Sequence, residues 1–237
     1  MKYRLLAVDV DGTLTVNRTS TKLCLRAIKA LRLAERRGLN VALVSSNSLP
    51  VTVGLKKYLW LTGPAIGETG ALVYLENEIH HLAEKSALQP YRDALKKFST
   101  YVSDSWQNRF RIYDFALKIR KEYVDKAEQV YRKIKEYIES SYSWVHVNFS
   151  GYAIHLTPRG VSKGKALGYA VEKLGVSWDE VIAIGDSAMD LDFMRNAGLK
   201  IAVSNADEEL KNMADIVTSK PSGFGVALAI HKLLGIA

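Results

Sequence analysis

The chain has 237 residues, 48% hydrophobic and 24% charged, enough apolar content for one large core or two modest ones and too much for default disorder. Its lone cysteine, Cys24, excludes an intrachain disulfide and a multi-cysteine metal site, and no apolar run approaches the ~20 residues of a membrane span. The formal charge of +8 is spread along stretches such as Lys29, Arg32, Arg36 and Arg37 without a nucleic-acid motif. That favours a solvated surface, attractive to small anions, over an RNA-binding protein.

In chain order, Met1 to Arg4 is basic but leads straight into a short apolar strand ending in aspartate. No secretory pattern results, and the cytoplasm is the expected compartment. Residues 3–10 form that strand, buried on both faces. Leu23, Ala27, Leu31 and Ala34 recur at helical spacing and predict a helix from Ser20 to Arg37, stopped by Gly38. Val41 to Val44 is a second buried strand, followed by Ser45-Ser46-Asn47. A helix follows Pro50, a residue suited to a first turn. Ala71–Leu75 and Ile79–Leu82 flank Asn77 as a hairpin.

Near Glu84 the texture changes. A helix is expected from Ser86 to Tyr101, then a strand alternating Tyr113, Phe115, Leu117 and Ile119 with Asp114, Lys118 and Arg120. Val124, Ala127, Tyr131, Ile134 and Ile138 mark another helix, and Trp144–Phe149 and Tyr152–Leu156 are two strands around Ser150-Gly151. One-sided strands imply an open sheet covered by helices on one face. Residues 84–154 therefore read as a small α+β domain inserted into a core formed by 1–83 and 155–237. Beyond Pro158 an α/β rhythm resumes: a helix from Ser162, strand Val181–Ile184, a helix from Ala188, strand Leu199–Val203, a helix from Asp207 and a last helix Val226–Leu234. The fold class is α/β, a Rossmann-like and mostly parallel sheet with helices on both faces.

Three polar clusters follow three core strands: Asp9-Val10-Asp11, Ser45-Ser46-Asn47, and Gly185-Asp186 with Asp190. Ligands of open parallel sheets bind at the carboxyl ends of the strands, so these clusters converge on one edge. Four aspartates in one crevice repel unless a cation sits between them, and oxygen ligands with an anionic substrate suit Mg2+. A metal so held binds a phosphate oxygen and leaves one carboxylate free to attack phosphorus. Gly12 keeps the backbone open beside the phosphate, Ser45 offers a hydroxyl, and Lys163 opens a helix with a point charge for phosphoryl oxygens.

These residues resemble the haloacid dehalogenase superfamily of phosphatases over nearly the whole chain. The motifs are Asp9-Val10-Asp11-Gly12-Thr13-Leu14, Ser45 after an apolar strand, Lys163 in Gly160-Val161-Ser162-Lys163-Gly164, and Gly185-Asp186 through Asp190. The tail from Asn205 to Val226 matches the subgroup whose cap is inserted between the second and third motifs. Within it, the short cap and Gly67-Glu68-Thr69-Gly70 look most like archaeal phosphoglycolate phosphatases. The resemblance implies Asp9 as nucleophile and metal ligand and Asp11 as general acid/base with its backbone carbonyl on the metal. It implies Ser45 and Lys163 on the phosphate, and Asp186 and Asp190 holding Mg2+.

Ser46 and Asn47 stand where many relatives have Gly-Arg, and are taken as substrate-binding with Ser45. Met189 stands where many have Asn before the last aspartate. Asp192 reads as helix surface. The five histidines show no paired ligand spacing, and none is assigned catalysis. The implied reaction is Mg2+-dependent hydrolysis of a small phosphorylated metabolite, 2-phosphoglycolate, through an aspartyl-phosphate, with a sugar-phosphate phosphatase or phosphomutase as alternatives. No nucleic-acid or membrane partner is expected, and a homodimer is left open. The inserted domain, with thirteen Lys and Arg against nine Asp and Glu, would roof the crevice with the face carrying Asp114, Lys118 and Arg120.

Overall fold

A computed structural model describes residues 2–151 and 153–235. Its larger layer is an eight-stranded sheet of β1 (Leu5–Asp9), β2 (Asn40–Val44), β3 (Ala65–Gly67), β4 (Leu72–Leu75), β5 (Glu78–His81), β10 (Val181–Gly185), β11 (Leu199–Ala202) and β12 (Ile216–Val217), in the order β12-β11-β10-β1-β2-β3-β4-β5. Pairing is parallel from β12 through β3 and antiparallel across β3-β4-β5. Strands β1, β2 and β10 are almost wholly buried, as their continuous apolar runs require of central parallel strands. Their register sets the site. Val8 pairs with Leu43 and Ile184, and Asp9 pairs with Val44, so Asp9, Ser45 and Asp186 leave the sheet at one level.

Helix α1 (Leu25–Arg36) buries Ala27, Ala30, Leu31 and Ala34. It starts five residues later than its spacing predicts, because Thr15 bridges Leu23 and Val16 N–H donates to Lys22, holding Ser20 to Cys24 extended. Helix α2 (Leu49–Leu59) carries Pro50 in its first turn, where a missing N–H costs nothing. The β4-β5 hairpin turns through Glu76 and Asn77, both left-handed (φ 51° and 66°), the conformation a tight two-residue hairpin demands.

The second sheet is antiparallel, ordered β6-β7-β9-β8 from β6 (Val102–Asp104), β7 (Phe115–Ile119), β8 (Val145–Phe149) and β9 (Ala153–Pro158). Helices α3 (Leu88–Lys97) and α4 (Ala127–Ser141) pack Tyr91, Ala94, Ile134 and Ile138 against Phe115, Leu117, Val147 and Ile154. This second core is separate from that of the larger sheet. The expected strand start Tyr152 lies outside the described residues, and the expected limit at residue 154 falls inside β9, which runs on to Pro158 beside β7 and β8. Val124 precedes α4 in a 3-10 segment and is exposed. Strands β3, β6 and β12, two or three residues each, were not predicted, since so few residues show no alternation.

The chain closes with α5 (Lys163–Lys173), α6 (Leu191–Met194), α7 (Glu208–Met213) and α8 (Ser222–Leu233). Ser162 caps α5, its hydroxyl accepting from Lys165 N–H. That cap fixes where Lys163 enters the helix.

Candidate active site

Asp9 ends β1, and its Oδ1 accepts from Lys163 Nζ at 2.7 Å. The same ammonium reaches Asp190 Oδ1 at 2.7 Å. Asp190 Oδ2 accepts the backbone N–H of Asp186 (3.0 Å) and Ser187 (3.1 Å), which folds the turn after β10 onto itself. Asp186 is held by Thr13 Oγ1 at 3.0 Å and by Arg18 Nε at 2.6 Å, and Arg18 also pairs with Asp207 at 2.8 Å. Asp9, Asp186 and Asp190 are all buried, with ligating oxygens within 4.8 Å of one another. Among the described residues, Asp9 Oδ2 has no hydrogen-bond partner.

Burial raises the Asp9 carboxyl well above its ordinary range, and Asp190 adds to this despite Lys163. Asp186 is pushed up to about 6 by burial and then by Asp190, against the pull of Arg18. Burial would lower Lys163, yet Asp190 and Asp9 outweigh it and hold the ammonium firmly charged. The cluster is thus short of positive charge even with two cations beside it. Gly12, at φ +90°, permits this closeness: a Cβ there would sit 2.3 Å from Asp186 Oδ2.

Asn47 ties the other two motifs together. Its Nδ2 donates to Asp11 Oδ2 at 2.6 Å and to Ser45 Oγ at 3.0 Å, and its backbone N–H also reaches Ser45 Oγ. Ser45 is buried behind Asn47, whereas Ser46 and Asn47 line the cavity. The carboxylate of Asp11 is exposed and stands outside the three-aspartate group.

A cavity of about 360 Å³ separates these residues from the second sheet, which contributes Ala116, Lys118 and His155, and from the turn before β7, which contributes Trp106, Gln107 and Arg111. The β7 face behaves as its alternation implies, with Phe115 and Leu117 under the helices and Ala116 and Lys118 towards the cavity. Arg120 departs from expectation. It does not line the cavity, because its guanidinium donates to the carbonyls of Ser99 and Val102 at the sheet's far edge. Asp114 is sealed, accepting from Arg111 (2.5 Å), Thr157 (2.6 Å), His155 (3.0 Å) and Thr69 (3.1 Å). Burial acts to raise Asp114, but the His155 and Arg111 charges and the Thr157 hydroxyl prevail and hold it below the usual carboxylate range.

The two sheets are stitched near this cavity. Glu68, itself buried, accepts backbone N–H groups of Ile112, Tyr113 and Asp114, and Arg111 Nη2 donates to the Ser46 carbonyl at 2.8 Å. Arg18, Gln107, Arg111 and His155 were not identified from sequence. Arg18 lies in an ordinary polar loop, Arg111 precedes its strand, and a histidine alternating with apolar neighbours looks like a core residue. Asp192 accepts Gly164 N–H at 2.7 Å at the start of α5, a capping contact rather than a place in the aspartate group.

A family model described as haloacid dehalogenase-like hydrolase matches residues 6–105 and 81–230. The chain is 56% identical to "phosphoglycolate phosphatase" of Staphylothermus marinus over 98% of both chains, and 37% identical to "phosphoglycolate phosphatase 1" of Saccharolobus solfataricus over 98% of this chain and 96% of that one. A crystal structure of Thermoplasma acidophilum 0175 superposes with a TM-score of 0.81 at 29% identity, covering 99% of each chain. No helix among the described residues is long and apolar enough to cross a membrane. With its aspartates, lysine and cavity at the carboxyl edge of a parallel sheet, this chain belongs to the haloacid dehalogenase-like hydrolases and is a phosphatase.

Proposed function

We propose that this phosphatase hydrolyses 2-phosphoglycolate to glycolate and phosphate, with Asp9 as nucleophile and Mg2+ as cofactor. The observation that carries the reading is the state of Asp9: one oxygen anchored by Lys163, the other unpartnered, at the floor of the cavity. The donor set fits a hard divalent cation, since it is all carboxylate oxygen and two of its members are raised by burial and then by the neighbouring Asp190. Asp9, Asp186 and Asp190, with the Asp11 carbonyl, would hold the ion, which supplies charge neutralisation between the Asp9 carboxylate and an anionic phosphoryl group.

Asp9 attacks phosphorus and the bond to the leaving-group oxygen breaks, giving an aspartyl-phosphate. Asp11 donates the proton that the leaving oxygen needs and then takes one from the water that hydrolyses the intermediate. Lys163 orients Asp9 and meets the phosphoryl oxygens, with Ser46 and Asn47 beside it. Residues 84–158 act as a cap that excludes water from this step. Lys118 provides a cation for a leaving group bearing its own carboxylate, as phosphoglycolate does. The names of the relatives and the cationic cavity wall support this choice of substrate.

The test compares kcat/KM for phosphoglycolate, sugar phosphates and an aryl phosphate. A sugar phosphate turned over better than phosphoglycolate would move the substrate assignment. Chelator should abolish turnover and Mg2+ restore it. Mg2+ should also raise the unfolding temperature of the wild type, by a stabilisation of about 2.7 kcal/mol at a hundredfold excess over Kd. Asp186→Ala should lose that increment.

A further inference from the structure

Asn47 carries one acceptor and two donors on its side-chain amide, and every one is engaged in a fixed sense. The Oδ1 accepts from Gln107 Nε2 at 2.7 Å, while Nδ2 donates to Asp11 Oδ2 and Ser45 Oγ. Gln107 lies in the 3-10 turn Trp106–Phe110 of the inserted domain. Its own amide is polarised in turn, since its Oε1 accepts Ser48 N–H at 2.8 Å and leaves only N–H groups to offer Asn47. The core backbone therefore sets the sense of Gln107, Gln107 sets that of Asn47, and Asn47 presents a donor to Asp11.

From this chain of contacts we infer that Gln107 is a positioning residue through which closure of the inserted domain orients Asp11. The inference rests on the proposed acid/base role of Asp11. With Gln107 withdrawn, Asn47 Oδ1 has no other protein donor among the described residues. The Oδ1 end of the amide is then unrestrained, and only the contacts to Asp11 and Ser45 hold its aim. With Gln107 docked, the reversed amide, oxygen towards Asp11, is closed off, because two NH2 groups would face each other at the Gln107 end. A second tie, Arg111 Nη2 to the Ser46 carbonyl, holds the same loop from the same domain, so the loop can be reached by this route only when the two domains meet. Asp11 thereby acquires its donor when the cavity is covered, the moment at which water is excluded.

The decisive variant is Gln107→Glu. The new carboxylate still accepts Ser48 N–H but has nothing to donate, so Asn47 must turn its NH2 towards it and its oxygen towards Asp11. Loss of a charge-assisted hydrogen bond predicts a fall in kcat of about 10–100-fold, with KM for phosphoglycolate changed by less than about twofold because the Gln107 amide is engaged by Ser48 and Asn47. Gln107→Ala, which merely frees Asn47, should cost less, about 3–10-fold. In an Asn47→Ala background the two Gln107 variants should no longer differ, since the relay is already cut. Unfolding midpoints of all variants identify any that fail to fold; for such a variant, hydrogen exchange at residues 45–48 in the wild type with and without phosphate supplies the readout, and faster exchange on closure overturns the proposal. Gln107→Glu with full kcat overturns it, as does a Gln107→Glu penalty of the same size without Asn47. An Asp11→Asn variant separates the two readings. If it retains wild-type kcat, the acid/base role of Asp11 is what fails; if it is inactive while Gln107→Glu is normal, only the relay fails.

Discussion

One buried acidic centre floors the cavity and another lies sealed behind the opposite wall, and they are resolved in opposite ways. Asp114, just before β7, is saturated: an arginine, a histidine and two threonines face it, and its carboxyl is held down. Asp9, Asp186 and Asp190 share Lys163 and Arg18 and keep one oxygen without a partner among the described residues, and burial holds Asp9 and Asp186 up. Burying a carboxylate is costly in both places. Asp114 is compensated by the protein alone and serves to order β7, β9 and the crossing at Thr69. The aspartate trio is compensated only partly, and the remaining deficit is a capacity for a cation and a phosphoryl group. Burial by itself does not distinguish a structural acid from a functional one; the completeness of its partners does.

Matched isosteric variants give the largest contrast. Asp9→Asn should lower kcat by on the order of 10⁴-fold, by analogy with loss of a catalytic nucleophile or its partners. Its stability should stay within about 1 kcal/mol of wild type, since a repelling charge is removed and Lys163 keeps Asp190. Single-turnover kinetics and denaturant unfolding check both halves, and wild-type turnover would end the covalent assignment. Asp114→Asn should do the reverse. Stranding Arg111 and His155 beside a neutral amide should destabilise the protein by about 3–5 kcal/mol, with the kcat of the fraction still folded falling far less than in Asp9→Asn. If unfolding curves of the two variants coincide, the distinction between the centres is wrong.

Titration sharpens the same contrast in sign. Asp186, raised to about 6 in the folded protein, binds a proton there that the unfolded chain, near 3.8, does not. Between those values the folded state holds more protons, so without metal this group's contribution to stability falls as pH rises towards 6 and is level above it. Asp114 is lowered, so its contribution is present above the unfolded value and is lost as pH falls below it. Unfolding free energies in chelator from pH 3 to 8, for wild type and Asp186→Asn, should differ in slope between about pH 4 and 6. Mg2+ affinity measured by calorimetry should rise through the same interval as the competing proton leaves. A flat difference would remove Asp186 from the cluster's proton balance.

The smallest effect concerns the cavity wall. Lys118→Ala should raise KM for phosphoglycolate by about 5–10-fold, the loss of one partly solvated charge contact, with little change for a neutral aryl phosphate. Arg120→Ala should change neither, because its guanidinium is spent on backbone carbonyls away from the cavity. Equal effects on both substrates would mean that Lys118 acts on the phosphoryl group or on closure.

Much of the catalytic edge is local chemistry written along the chain. An apolar run ending in Asp9, another ending before Ser45, and a third ending in Gly185-Asp186 suffice to place three polar clusters at one sheet edge, because parallel strands of matched register end together. The same local logic carries α1, α3 and α4 through their apolar spacing and β7 through its alternation. What tertiary structure decides is pairing between distant segments. Period and propensity contain nothing that brings Arg18 onto Asp186, Gln107 onto Asn47, or His155 onto Asp114, for each pair is separated by tens of residues or more and each member alone resembles a loop, turn or strand residue. The same holds for Ser20 to Cys24, whose helical spacing yields to a bridge with Thr15, and for Arg120, whose alternation assigns it a face but not a partner. Local pattern brings Asp9, Asp186 and Asp190 to one edge, while the carboxylate of Asp11, expected among them, stands outside the group. Only the folded chain, by supplying donors to Asp114 and withholding one from Asp9, decided which of the buried acids kept an oxygen without a partner among the described residues.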